Sequence, residues 1–260
     1  MKRALFLGLL LLLLPTRSYA FDILGLQPVA PYGVFSTFST ESLPKNKGAF
    51  ETAFEKSKDP DFYRFALLGA YGISDSLEFD ITIPYVYHFS DSVDGMEDIA
   101  LGFKHRFYNE GKYGPSLAYI INASINNGRD EFSTNGSFGV GLIVSKRVGP
   151  FKGHFNVFYQ RPGSGKLLDE LSFRGGVELS AGHNFTILSE LLVQKDYFTN
   201  EYKHVEARFG YRLRTTENIY TTIGAGLDLK ARSPEFRVLF SVSFTPPPEK
   251  KIIRKIYEEE

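Results

Sequence analysis

The chain has 260 residues, 30 basic and 30 acidic side chains, and neither cysteine nor tryptophan. The balanced charge gives no electrostatic case for nucleic acid as a partner, and the lack of cysteine excludes disulfides and thiolate metal sites. Phe and Tyr supply the whole 15% aromatic share and 24 residues are glycine, a composition that leans all-β.

Lys2 and Arg3 precede an apolar run from Ala4 to Leu14; Pro15 ends it, and Ser18 and Ala20 place small residues at a cleavage site. This is the layout of a secretory signal peptide, expected over 1–20, because the run is about half the length a membrane-spanning helix needs. No later segment is long and apolar enough for such a helix. The exported chain is therefore either soluble or crosses a membrane as a closed barrel. Residues 21–47 have no clear partner strand. They are expected to fold into the lumen as a plug or to form a periplasmic extension. Pairing "VFSTFST" as a thirteenth strand would spoil the alternation of turns described below.

From residue 48 onward twelve strand-like segments follow: 48–56, 62–73, 77–89, 97–108, 115–126, 136–148, 151–161, 170–181, 185–197, 204–215, 218–229 and 235–245. Most alternate with period two. In "LEFDITIPYVYHF" (77–89), Leu77, Phe79, Ile81, Ile83, Tyr85, Tyr87 and Phe89 share one face, while Glu78, Asp80, Thr82 and His88 share the other. In 235–245, Phe236, Val238, Phe240, Val242 and Phe244 form the apolar face. A soluble sandwich of this length shows shorter strands with less regular faces. Lipid outside and water inside explain both faces together.

The residues expected to line the lumen are Arg64, Glu78, Asp80, Asp98, Lys104, Arg106, Arg174, Glu178, Glu190, Arg208, Arg212 and Arg237. Arg64 and Arg106 flank the strand of Glu78 and Asp80 and are expected to pair with them. Ala100, Gly102, Gly139, Gly141, Gly176, Gly224 and Gly226 also face inward, leaving room for a narrow passage or for residues 21–47. His105, Lys146 and Lys195 fall on the apolar face near strand ends, where a charge at the membrane interface costs little. Tyr63, Tyr85, Tyr87, Phe89 and Tyr197 mark one aromatic belt, and Phe103, Phe107, Phe185 and Phe244 the other.

Tight turns fall at 73–76, 148–150, 182–184 and 215–217, with a longer one at 109–113. Between them lie the polar joins "SKDPD", "SDSVDG", "NNGRDEFST", "PGSGKLLD", "TNEYK" and "KARSP". Short and long joins alternate as periplasmic turns and external loops do. An even strand count then places both termini in the periplasm. The barrel is expected over 48–245. A C-terminal tail at 246–260 follows a proline brake, with Ile252, Ile253, Ile256 and Tyr257 at helix-like spacing.

No catalytic, cofactor or metal site stands out. His88 and Ser90 share spacing only where a loop begins. Lys152, His154 and Asn156 face inward with no serine nearby in sequence, and read as ordinary lumen polar residues. The five histidines are scattered singly. "NNGRDEFSTNG" lacks calcium-loop spacing, and "GSGKL" lacks the rest of a phosphate loop.

The stretches "LLGAYGISDSLEFDITIPYVY" (67–87) and "GMEDIALGFKHRFY" (95–108) resemble the MetA-pathway of phenol degradation family, whose members are transporter-like outer-membrane β-barrels. Tyr71-Gly72-Ile73-Ser74-Asp75 fills that family's strand–turn, Ile83-Pro84-Tyr85 its strand end and Gly95-Met96-Glu97-Asp98 its loop end. "LPKNKGAFETAFE" (43–55) is similar to its entry into the first strand. The chain departs at Ser124-Ile125-Asn126-Asn127-Gly128, where members carry Leu-Pro-Thr-Gly. The resemblance implies an outer-membrane location and a link to aromatic compounds.

Taken together, the expectation is a twelve-stranded barrel in the cell outer membrane that passes small, hydrophobic or aromatic solutes without enzymatic chemistry. Its partners would be membrane lipid, lipopolysaccharide, the barrel assembly machinery and the solute. The alternatives are a structural or adhesive barrel with a closed lumen and a lipid-modifying enzyme.

Overall fold

A computed structural model describes residues 23–89, 93–195, 197, 200–202, 204–230 and 235–247. The expected signal peptide, 1–20, and most of the expected C-terminal tail, 246–260, lie outside the described residues. In chain order the strands are β1 (Gly33–Val34), β2 (Thr37–Phe38), β3 (Gly48–Lys58), β4 (Phe62–Gly72), β5 (Leu77–Phe89), β6 (Val93–Met96), β7 (Ile99–Tyr108), β8 (Ser116–Ile125), β9 (Ser137–Val148), β10 (Phe151–Pro162), β11 (Glu170–Ser180), β12 (Phe185–Gln194), β13 (His204–Arg214), β14 (Ile219–Asp228) and β15 (Phe236–Phe244).

Twelve of these, β3–β5 and β7–β15, form a closed antiparallel barrel. Each pairs with its neighbour in sequence, and β15 returns to β3 with Phe240 opposite Phe54. Closure satisfies every strand edge, which lipid requires because it offers no hydrogen-bond partner. The period-two pattern sets the faces. Phe65, Phe103, Leu142, Phe155 and Phe209 are among the large apolar side chains left exposed on the outside, while Arg64, Lys104, Glu190 and Arg237 are buried inside. The usual arrangement of a soluble core is thus inverted.

The tight turns and the longer joins fall at opposite ends of the barrel, here called the turn end and the loop end. Two joins differ from expectation. "SKDPD" is a connection of only residues 59–61, because β3 continues to Lys58 and β4 begins at Phe62. The 97–108 strand begins instead at Ile99, because the Glu97 and Asp98 carboxylates serve Arg64 and the 126–136 loop. The short β6 pairs with the outer end of β5 ahead of it. Lys146 reaches the turn end, donating to the Gly111 and Gly114 carbonyls and pairing with Glu110. Two belt assignments are also corrected. Tyr197 is buried rather than facing lipid, with its carbonyl accepting Leu168 N–H at 2.8 Å. Phe89 packs with Phe62, Val86, Val93 and Phe132 in an apolar cluster at the loop end.

Residues 24–43 run through the barrel as a thread. Their partners lie on β3, β5, β8, β9, β10, β11, β12 and β13, so the wall surrounds them. Leu24 N–H donates to Glu97 near the loop end at 2.7 Å, and Leu43 N–H donates to Glu78 towards the turn end at 2.5 Å. "VFSTFST" is not a thirteenth strand. It makes the β1–β2 hairpin inside the lumen, turning at Phe35 with φ 41°. The small inward residues receive this thread. A Cβ on Gly224 would meet the Phe35 ring at 2.5 Å, one on Gly176 would meet Val34 at 3.1 Å, and one on Gly102 would strike Leu26.

The thread changes the disposition of the chain ends. Gly48 and Phe244 share the turn end, as an even strand count requires. The residues before Gly48 double back, however, and Ile23 shares a loop-end groove with Phe89, Asp130 and Lys166. Thr245 remains at the turn end, bonded to the Asn218 carbonyl. The first and last described residues therefore lie at opposite ends of the barrel.

Candidate functional site: the lumen and its thread

Alternation places one inward side chain every second residue, and register decides which of them meet. Along one side of the wall this produces a continuous chain of opposite charges. Glu97 meets Arg64 at 2.6 Å, Arg64 meets Glu55 at 3.3 Å, and Glu55 meets Arg237 at 2.9 Å. Arg237 then reaches Glu206 at 3.5 Å, Glu206 meets Arg208 at 2.7 Å, and Arg208 meets Glu190 at 3.2 Å. The step from β15 to β13 passes over β14 at Gly226, where a Cβ would strike the Glu206 carboxylate. Each arginine sits between two carboxylates. That arrangement offsets the desolvation of groups that would be costly to bury singly.

Both ends of this chain hold the thread. Glu97 takes Leu24 N–H. Glu190 takes Ser36 N–H at 2.9 Å, Ser36 Oγ–H at 2.7 Å, and Thr37 N–H and Oγ1–H at 2.8 Å. Further contacts come from all round the wall. Glu51 accepts from Ala30 N–H, while Asn156 both accepts from Phe38 N–H and donates to the Phe38 carbonyl. Arg174 donates to the Ser36 carbonyl at 2.8 Å and lies over the Phe158 ring. Arg212 donates to the Gly33 carbonyl at 2.6 Å. Lys152 pairs with Glu41 at 2.7 Å. Burial opposes the Glu41 charge, but Lys152 outweighs it and holds that carboxyl below its usual range.

Several expected partners are exchanged. Glu78 pairs with Lys104 at 2.6 Å, not with Arg64 or Arg106, because register sets Lys104 opposite Glu78 and Arg64 opposite Val86. Asp80 is buried, and neither of its carboxylate oxygens has a hydrogen-bond partner among the described residues. Arg106 sits half-buried at the turn end and donates to the Asp75 carbonyl. Asp98 stands just before β7 and does not face the channel of the thread. Its carboxylate accepts from Gly128 N–H, Ser133 Oγ–H, Thr134 N–H and Oγ1–H, and Gly136 N–H. This folds the 126–136 loop over the loop end and buries Phe132. Asp98→Ala removes the acceptor for all five donors, at about 1–3 kcal/mol for each buried group left unmet. The expected result is rapid proteolytic nicking within 126–136 while the barrel stays resistant, read by limited proteolysis and mass spectrometry.

Glu55 and Glu97 complete the charge chain but were not among the residues picked from sequence, whereas Glu206 was read as inward-facing. The signal for Glu55 was available in the odd-numbered inward positions of β3, while Glu97 precedes β7 and has no strand period to place it. A second group also escaped notice: Ser145 on β9 lies 2.7 Å from His154 Nδ1, and His154 Nε2 lies 3.2 Å from Glu178. Serine and histidine are cross-strand partners here rather than neighbours in sequence.

The thread does not fill the lumen. A cavity of about 90 Å³ remains between thread residues Gln27, Pro28, Gly33 and Phe35 and wall residues that include Glu51, Ala66, Leu68, Arg212, Thr222 and Ser241.

A closed barrel with a lipid-facing apolar surface and a charged interior is an outer-membrane β-barrel, and the comparisons agree. The COG4313 outer membrane channel from Pseudomonas putida F1 superposes with a TM-score of 0.62 at 12% identity, covering 80% of this chain and 98% of that one. The KdgM porin gives 0.58 at 10% identity, covering 75% and 98%. LpxR from Salmonella typhimurium gives 0.51 at 8% identity, covering 75% and 99%. At these identities the likeness is one of fold. No family model matches the chain, so membership of the MetA-pathway family is not shown, and no curated protein matches it.

Proposed function

We propose that the protein is a passive outer-membrane passage for small solutes, with the loop end outside and the turn end in the periplasm. The observation that carries this reading is the unfilled cavity beside the thread, in a lumen whose wall presents both paired charges and apolar surface. Phe35, Ala66, Leu68 and Leu239 line that cavity, which favours solutes with a hydrophobic or aromatic body. Two of the structural neighbours are described as a channel and a porin, which supports the same reading. On this account residues 1–20 direct export and are removed, residues 21–47 narrow the lumen, and residues 246–260 form a periplasmic tail. Lipid and lipopolysaccharide surround the wall, and the barrel assembly machinery inserts it.

A closed structural barrel is the second reading, favoured by the number of wall groups committed to the thread. Single-channel conductance in a planar bilayer separates the two. The full chain is compared with a chain lacking residues 21–47. Steps from either protein support passage, and steps from the shortened one alone assign the restriction to the thread. Silence from both, with heat-modifiable migration showing a folded barrel, favours the closed reading.

A further inference from the structure

We propose that Ser145, His154 and Glu178 form an activated serine that cleaves acyl esters, capped in this structure by residues 38–41 of the thread. Ser145 and His154 are directly opposite across β9 and β10, and Glu178 stands on the next strand, β11. Ser145 and His154 are buried on the lumen side. Thr40 N–H donates to Ser145 Oγ at 3.0 Å. The Glu178 carboxylate can only accept, so in the neutral ring Nε2 carries the proton and Nδ1 accepts from Ser145 Oγ–H, 2.7 Å away. Nε2 faces Glu178 Oε1 at 3.2 Å. The hydroxyl, base and carboxylate thus stand in the order nucleophilic catalysis needs, with the acid fixing the tautomer. Arg212 lies 3.8 Å from the other Glu178 oxygen.

Asn156 Nδ2 donates to the Phe38 carbonyl at 2.9 Å, two residues from the amide that touches Ser145. Asn156 is the next inward position after His154 on β10, and an amide donor there is the kind of group that stabilises a developing oxyanion. With the thread displaced, Ser145 Oγ adds to the ester carbonyl carbon and its proton passes to His154 Nδ1. The carbonyl–alkoxy bond breaks, and the alcohol leaves with that proton. Water then attacks the acyl-serine, gives a proton to Nδ1, and releases the carboxylic acid while the serine regains its proton. The net reaction is ester plus water to acid plus alcohol. Ser145 and His154 are the catalytic residues, and Glu178 is a positioning residue. The proposal does not depend on solute passage.

The test uses the full chain, refolded in detergent, and a fluorophosphonate probe, which bonds phosphorus to a reactive serine oxygen and loses fluoride. Adducts are located by peptide mass spectrometry. Glu190→Ala loosens the thread without touching the three residues. In that variant Ser145 is expected to label faster than in the parent chain. Adding His154→Gln is expected to slow labelling by at least about a hundredfold. Glu178→Gln should slow it, and Glu178→Asp should restore part of the rate, a rescue that a merely structural role would not give. Ser116, bonded to Thr40 but without a histidine, is the internal control. Labelling of Ser145 no faster than Ser116, in protein that migrates as a folded barrel, overturns the proposal. So does labelling of Ser145 that is indifferent to His154→Gln.

Discussion

Glu190→Ala should undock the thread from the lumen wall while leaving the barrel closed. The carboxylate serves four donors on Ser36 and Thr37 and is also the partner of Arg208. Its loss strands backbone amides in a buried place and leaves Arg208 with Glu206 alone, and removing one member of a buried pair costs about 3–5 kcal/mol. At about 1.4 kcal/mol per tenfold change, the population with an undocked hairpin should rise by roughly two to three and a half orders of magnitude. Hydrogen exchange at the Ser36 and Thr37 amides reads this directly. Glu190→Gln keeps one acceptor oxygen and the shape, and should fall between parent and alanine variant. Equal protection of these amides in all three proteins would show that the thread is held elsewhere.

Arg237→Ala is expected to weaken the barrel itself. Arg237 stands on the last strand, is fully buried, and joins Glu55 on β3 to Glu206 on β13. Without it two carboxylates on either side of the closing seam lose a shared cation, again at about 3–5 kcal/mol. The expected result is a lower temperature for loss of the folded band in heat-modifiability gels, with the apolar outer face unchanged. Arg237→Met, which keeps the volume without the charge, should give a similar drop, because the loss is electrostatic. A drop with alanine but not with methionine would mark packing as the cause.

The barrel was legible because its rule is local. Alternation along one strand, as in Leu77 to Phe89, shows which face meets lipid with no knowledge of the neighbours. The lumen was only half legible. Facing can be read from one strand, but partnership needs register. Lys104 and not Arg106 meets Glu78, because the ladder sets those two opposite each other. Ser145 and His154 are joined across Gly149-Pro150, and counting outward from that two-residue turn would have paired them. Asp98 was placed on the wall because its strand was started too early, whereas its work is to hold a loop. The thread was the least legible part. It lacks a period, and its anchors lie far away in sequence, with Ser36 and Glu190 separated by 154 positions.

The threaded lumen also dictates an order of assembly. The pairing of β15 with β3 joins the far ends of the barrel sequence, so Arg237 meets Glu55 across 182 positions. Contacts so distant in sequence form late, because the intervening chain must be ordered first. The earlier strands can line up by local hairpins, and they carry the sites that grip Ser36, Phe38 and Thr40. Only a short stretch separates Leu43, held by Glu78, from the start of β3 at Gly48. The thread therefore lies against an open, curling sheet before the last strand arrives, and the final pairing shuts the ring around a segment already in place.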